Sequence, residues 1–167
     1  LAVVTNPDRP KGRGMKMIAT PVKEVAIEKN IPVYQPLKVR GNDDFIETLK
    51  SLNPDVICVV AYGKILPKEI LDIPKYGCIN VHASLLPKYR GAAPIQWAVL
   101  NGDKTTGVTT MYMDVGMDTG DMILKEEVQI GEDETTGELW KRLSVIGGNL
   151  LVRTLDEIEN GTVNRIP

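Results

Sequence analysis

A chain of 167 residues, 43% of them hydrophobic and 25% charged, has the length and composition of one compact domain with a full core. A formal net charge of -2 excludes nucleic-acid binding through the overall field and leaves room only for a local basic patch. No run is long and apolar enough to span a membrane and no signal peptide is read, so a cytoplasmic protein is expected.

The chain opens on Leu1 to Thr5, which reads as a sheet strand with no methionine or βα unit before it, so a fragment or processed chain is expected. Thr20-Pro21 starts a helix to about Lys29, with Thr20 as N-cap and Pro21 in the first turn. Pro32 to Tyr34 is a short strand, and Asn42 caps a helix in which Phe45, Ile46, Leu49 and Leu52 fall at helical spacing. Val56 to Ala61 is a continuous apolar run, the mark of a central strand buried on both faces, and Lys68 to Leu71 is at most a short helix. Tyr76 to His82 is the next strand. Pro94 then starts a helix to about Asn101, and Gly107 to Met113 and Met122 to Gln129 are two further strands. The last helix begins at Thr135, where Glu138 completes a capping box. Its Leu139, Leu143, Ile146, Leu150, Leu155 and Ile158 form a core-facing stripe, and Asn160-Gly161 closes it. The alternation predicts an α/β fold, Rossmann-like, with a mainly parallel sheet and helices on both faces. Cys58 and Cys78 each lie inside an apolar run and are expected as buried core thiols in a reducing cytosol.

The familiar cofactor motifs fail. Gly12-Arg13-Gly14 sits in a basic loop and does not extend to a dinucleotide fingerprint, and no phosphate-binding P-loop is present. One histidine and two separated cysteines cannot build a structural zinc site, so no metal is expected. The single histidine stands in Asn80-Val81-His82, where a period of two puts Asn80 and His82 on one face of a strand and Val81 on the other. Leu86-Pro87 and Arg90-Gly91 punctuate a turn just beyond, which places the pair at a strand's C-terminal end, where open α/β sheets bind ligands. By itself, a lone histidine there is more often a satisfied structural side chain, and Asn80 reads as a turn or cap residue. Asp114, Asp118 and Asp121 lie in a Gly-rich loop where aspartates commonly form turns. Arg9, Lys11, Arg13 and Lys16 put four positive charges into eight residues, by itself the composition of a solvated loop.

Taken together, Asn80, His82, Ser84-Leu85-Leu86-Pro87 and Asp118 resemble the active-site signature of the 10-formyltetrahydrofolate-dependent formyltransferases. Four segments are most similar to the members that act on methionyl-initiator tRNA. They are Asn6-Pro7-Asp8-Arg9-Pro10-Lys11-Gly12-Arg13-Gly14, Ala61-Tyr62-Gly63-Lys64-Ile65-Leu66-Pro67, Gly91-Ala92-Ala93-Pro94-Ile95-Gln96 and Asp114-Val115-Gly116-Met117-Asp118-Thr119-Gly120-Asp121. The resemblance implies one catalytic domain over residues 1–167, lacking the family's first βα unit and the C-terminal β-barrel that helps hold tRNA. Such a chain is expected to be a monomer with impaired or no activity on its macromolecular substrate.

The implied reaction passes the formyl group of 10-formyltetrahydrofolate to the α-amine of methionine esterified to initiator tRNA. Negative charge grows on the formyl oxygen, and the resemblance makes Asn80 and His82 the donors that meet it. Asp118 either sets the imidazole's protonation or, through a water, takes the proton that the amine releases. Ser84, Leu85, Leu86 and Pro87 resemble the folate-contacting segment, with a cis Leu86–Pro87 bond implied, and Tyr62, Gly63, Ile65 and Leu66 are expected as the opposite pocket wall. The loop of Arg9, Lys11, Arg13 and Lys16 is implied to enter the tRNA acceptor stem, with Arg13 as its principal contact. The rival expectations are formylation of glycinamide ribonucleotide or a sugar amine, and a folate-binding module without turnover.

Overall fold

The computed structural model describes residues 1–11 and 15–167, apart from the side chains of Lys11 and Lys16. Its contacts divide into two compact units, residues 1–54 with 62–73, and residues 55–61 with 74–167.

In the first unit, β1 (Val3–Val4) is followed by β2 (Arg9–Lys11) and β3 (Lys16–Ile18), then α1 (Pro21–Glu28), β4 (Val33–Tyr34) and α2 (Asp43–Leu52). β1 and β4 pair in parallel. Thr20 accepts a hydrogen bond from the Lys23 backbone and Asn42 from that of Phe45, so both expected N-caps are formed. α2 buries Phe45, Ile46 and Leu49. The segment expected as a plain basic loop carries an antiparallel hairpin, with Arg9 opposite Ile18 and Lys11 opposite Lys16. Asp8 anchors its base, accepting from Lys23 Nζ and Gln35 Nε2, each at 2.7 Å.

The second unit is built on β5 (Ile57–Val60), β6 (Cys78–His82), β7 (Thr105–Tyr112) and β8 (Met122–Gln129), which lie side by side in that order. α3 (Lys68–Leu71) belongs to the first unit, while α4 (Pro94–Leu100) and α5 (Thr136–Asn160) belong to the second. β5 and β6 are parallel, but β6 with β7 and β7 with β8 are antiparallel. The α/β class holds, and parallel pairing is narrower than expected, confined among the described residues to β1 with β4 and β5 with β6. The short loop from β7 to β8 contains no helix to make a crossover, and antiparallel neighbours are what such a loop can join.

α5 lies across β6, β7 and β8 and supplies the core. Thr135 and Glu138 form the reciprocal capping box, and the buried stripe runs through Leu139, Leu143, Gly147, Leu150, Thr154 and Ile158. Ile146 and Leu155 stand at its margins, half-buried. Gly147 marks the closest approach, because a Cβ there would come within 3.1 Å of Val81 Cγ1. Leu139 and Leu150 are fully buried, and each contributes roughly 1.5–3 kcal/mol of apolar burial.

β5 departs from expectation. Its residues alternate between half-buried and exposed, and Cys58 and Val60 are exposed. An apolar run identified the strand correctly but not its place, which is at the edge of the four-stranded sheet, beyond the helix that covers the other three strands. Cys78, on β6, is buried as expected, and both thiols are free of disulfides.

Candidate active site

Alternation along β6 divides its side chains between two environments. Ile79 packs in a cluster with Tyr112, Ile123 and Ile158, and Val81 packs against the cluster of Val108, Leu139, Leu143 and Leu150 under α5. Asn80 and His82 therefore share the opposite face, beside Met111 and Thr109 of β7. His82 is 7% exposed, whereas Asn80 is half-buried and its carboxamide makes no hydrogen bond among the described residues. A buried ring beside an unengaged amide donor suits the stabilisation of a charge that develops nearby.

Asp118 comes to His82 from the loop between β7 and β8, and its Oδ2 lies 3.5 Å from the imidazole Nδ1. The same oxygen accepts the Gly91 backbone N–H at 2.7 Å. The other ring nitrogen, Nε2, lies 2.8 Å from the Tyr89 carbonyl. Asp118 has φ 53° and Tyr89 φ 56°, left-handed values that side chains other than glycine adopt only when their surroundings impose them. Asp114 behaves as expected of a loop former, accepting from the Gly116 N–H and the Thr119 hydroxyl.

The Ser84 to Pro87 turn is held from beneath by β7 and β8. Thr109, fully buried, accepts from the Leu86 N–H at 3.1 Å and donates to the Ser84 carbonyl at 2.7 Å. Lys125 Nζ donates to the Leu86 carbonyl, and the Ser84 hydroxyl donates to the Lys88 carbonyl at 2.6 Å. Ser84 is fully buried and Leu86 is 2% exposed, packed on Met111 and Met122, so their side chains shape the turn. Leu85 is half-buried and Pro87 exposed, and the Leu86–Pro87 bond is cis.

The remaining expected residues lie in the first unit. Tyr62 has a buried hydroxyl without a partner among the described residues, and burial pushes its phenol above the ordinary value. Gly63 takes φ 72°, Ile65 is 78% exposed and Leu66 is buried. Arg9 is exposed and lines a hollow of about 240 Å³ with Asn6, Pro7, Ile18 and Thr20. Lys11 and Lys16 face each other across the hairpin, but their side chains, and Arg13 entirely, lie outside the described residues. Among the described residues no group of three or more histidine, cysteine or acidic side chains is placed to hold a metal ion, and no helix is long and apolar enough to cross a membrane.

Reading the sequence missed Thr109, Gly107, Lys125, Tyr89 and Asp103. A Thr-rich strand signals β propensity rather than a polar pin, so Thr109 left no distinguishing mark. Tyr89 follows a turn-forming Pro87-Lys88, yet its hydroxyl donates to Asp103 Oδ2 at 2.7 Å and accepts from Asn101 Nδ2 at 2.8 Å, partners that only the fold brings near. The Lys88 ammonium, then the Tyr89 hydroxyl, hold the Asp103 carboxyl below the usual carboxylate range.

The formyl transferase family's sequence pattern matches residues 1–155. The methionyl-tRNA formyltransferase of Clostridioides difficile (strain 630) is 65% identical over 165 residues, covering 99% of this chain and 53% of that protein. The enzyme of the same name from Pelotomaculum thermopropionicum is 62% identical over 167 residues, all of this chain and 53% of its own length. The chain thus spans about half the length of the curated relatives it matches. Among solved structures, phosphoribosylglycinamide formyltransferase from Bacillus halodurans superposes with a TM-score of 0.78 at 27% identity, over 95% of this chain and 80% of that one. The formyltransferase PseJ from Anoxybacillus kamchatkensis, in complex with a UDP-linked formamido sugar and tetrahydrofolate, gives 0.70 at 26% identity, over 99% and 80%. With the pattern spanning nearly the whole chain, and with such relatives alongside it, the chain belongs to the formyl transferase family.

Proposed function

We propose that this chain carries the formyl-transfer chemistry of an enzyme that uses 10-formyltetrahydrofolate to formylate the α-amine of methionyl-initiator tRNA. The observation that carries the reading is the pairing of His82 with Asp118 at 3.5 Å, on the face of β6 that also presents the unengaged Asn80 amide. Supporting it are the relatives that bear the name methionyl-tRNA formyltransferase, and the tetrahydrofolate bound in the structure of PseJ.

In the reaction the amine nitrogen bonds to the formyl carbon, and the bond from that carbon to the folate nitrogen breaks. The proton lost by the amine ends on the folate nitrogen. Asn80 donates to the oxyanion, a contribution of about 10²- to 10³-fold in rate, and the His82 and Asp118 pair handles the proton, worth roughly 10²- to 10⁴-fold. Leu85, Pro87 and the backbone of the Ser84 to Pro87 turn contact the folate, while Ser84 and Leu86 hold the turn in shape. Arg9, Lys11, Arg13 and Lys16 meet tRNA phosphates, a salt-dependent attraction consistent with a net charge of only -2. No metal takes part, and cysteines that form no disulfide, Cys58 and Cys78, accord with a reducing, cytoplasmic setting.

The test offers the purified protein 10-formyltetrahydrofolate with charged initiator tRNA, glycinamide ribonucleotide or a sugar amine. Transfer to the charged tRNA is expected, and His82→Ala and Asp118→Ala should each abolish most of it without unfolding the protein. Near-normal turnover in either variant would refute the catalytic assignment. Arg13→Ala should lower kcat/KM for the tRNA and make its salt dependence shallower by about one unit of slope. Preference for another acceptor would move the reading to that substrate, and donor binding without any transfer would make the chain a folate-binding module.

A further inference from the structure

The turn from Lys88 to Gly91 is gripped from both sides of the His82 and Asp118 pair. Asp118 holds the Gly91 N–H, and His82 Nε2 meets the Tyr89 carbonyl at 2.8 Å. A carbonyl oxygen only accepts, and at 2.8 Å it lies nearer its ring nitrogen than the Asp118 oxygen at 3.5 Å lies to Nδ1, so Nε2 is the nitrogen that carries hydrogen in the neutral ring. The opposite tautomer would set a ring lone pair against the carbonyl's own. The left-handed backbone of Tyr89 aims that carbonyl, and the tyrosine is held at its far end by Asp103 and Asn101. Lys88 completes the clamp through its 2.7 Å contact with Asp103.

We infer that Tyr89 is a positioning residue for His82: its clamped turn fixes the Nε2–H tautomer and leaves Nδ1, beside Asp118, as the atom that takes up and returns the proton. The inference rests on the reading of His82 and Asp118 as the catalytic pair. It gives the transfer a definite route, in which the amine's proton reaches Nδ1 through the Asp118 carboxylate on that nitrogen's lone-pair side and returns through the same carboxylate to the folate nitrogen that loses the formyl group. The imidazolium formed on the way points its new N–H at the Asp118 carboxylate and keeps its old one on the Tyr89 carbonyl. The ring ends as it began.

Because His82 is the chain's only histidine, nitrogen NMR of protein labelled in histidine reads this one ring. In the neutral ring the Nε2–H tautomer is expected to predominate. Tyr89→Phe and Asp103→Ala, which cut the clamp but keep the backbone carbonyl, should each shift the tautomer ratio about fivefold toward Nδ1–H, the worth of one ordinary hydrogen bond. Tyr89→Phe should lower kcat by a similar factor and leave KM for the donor unchanged. A wild-type ring in the Nδ1–H form would overturn the inference even if both variants failed to fold. So would folded variants that keep the wild-type ratio, or a kinetic effect confined to KM. Failure of formyl transfer in the wild-type protein would remove the functional reading while leaving the measured tautomer standing, which separates the two.

Discussion

Replacing Thr109 by valine removes the polar pin beneath the Ser84 to Pro87 turn while keeping nearly the same side-chain shape. The hydroxyl serves two backbone groups at once, the Leu86 N–H and the Ser84 carbonyl, and both bonds are buried. Valine leaves these two groups unsatisfied, at about 1–3 kcal/mol each, so the expected loss is about 2–6 kcal/mol. That is a large part of the 5–15 kcal/mol typical of a whole domain. With a slope of roughly 2 kcal/mol/M, the urea midpoint should fall by about 1–3 M with the slope unchanged. Thr109→Ser is the matching control, for it keeps the hydroxyl and gives up one methyl, at about 1 kcal/mol. If valine costs no more than serine, the hydroxyl does not carry the turn and the account of its anchoring is wrong.

Gly107→Ala tests the same turn from its packing side. The added Cβ would lie 2.2 Å from the Glu126 carbonyl oxygen and 2.5 Å from Leu85 Cδ2, and the backbone contact cannot be relieved by a rotamer change. A loss of about 3 kcal/mol and weaker donor binding are expected, seen as a melting temperature lower by about 6–12 °C; an unchanged melting curve would show that β8 yields freely. Acid should also weaken the fold. Asp8, Asp103 and Glu134 are held below their ordinary values chiefly by hydrogen bonds from Lys23, Lys88 and Arg142 respectively. Depressed carboxylates contribute stability that is present above the unfolded value and lost as pH falls through the folded one, so denaturation midpoints should decline below about pH 4. These groups are only half-buried, and 1 M salt should blunt the decline. Midpoints flat down to pH 2 would exclude the three ion pairs as contributors.

How much of this was legible in the sequence depends on the range of the interaction concerned. Helix ends were readable because a cap acts within three residues, as Thr20, Asn42 and the Thr135 and Glu138 box do. The α5 stripe was readable too, with Gly147 and Thr154 buried between positions assigned to larger apolar residues. A glycine is buried there because β6 approaches closely, and Thr154 because its hydroxyl bonds to the Leu150 carbonyl and meets that of Thr110. Neither reason is local. The strand Val56 to Ala61 shows the limit most clearly, since an apolar run specifies pairing but not what covers each face, and Cys58 and Val60 ended on the exposed one. The hairpin over the basic segment depends in turn on register between stretches separated by glycines.

At the site the division is between side chains and backbone. Asn80, His82 and Asp118 stood out as candidates because Asn-Val-His and the Gly-rich aspartate loop are chemically distinctive, and the fold brings His82 and Asp118 to 3.5 Å of each other. Their other partners are the Tyr89 carbonyl and the Gly91 N–H, groups that nearly every residue carries and that no motif can flag. A backbone partner is selected through conformation, so the sequence positions that control it are those where φ is left-handed or where a Cβ cannot fit. Tyr89 and Asp118 are of the first kind and Gly107 of the second. Substitutions at Tyr89 and Gly107 should therefore act on the geometry around the imidazole without removing any atom that touches it, which makes them the informative probes of how the pair is held.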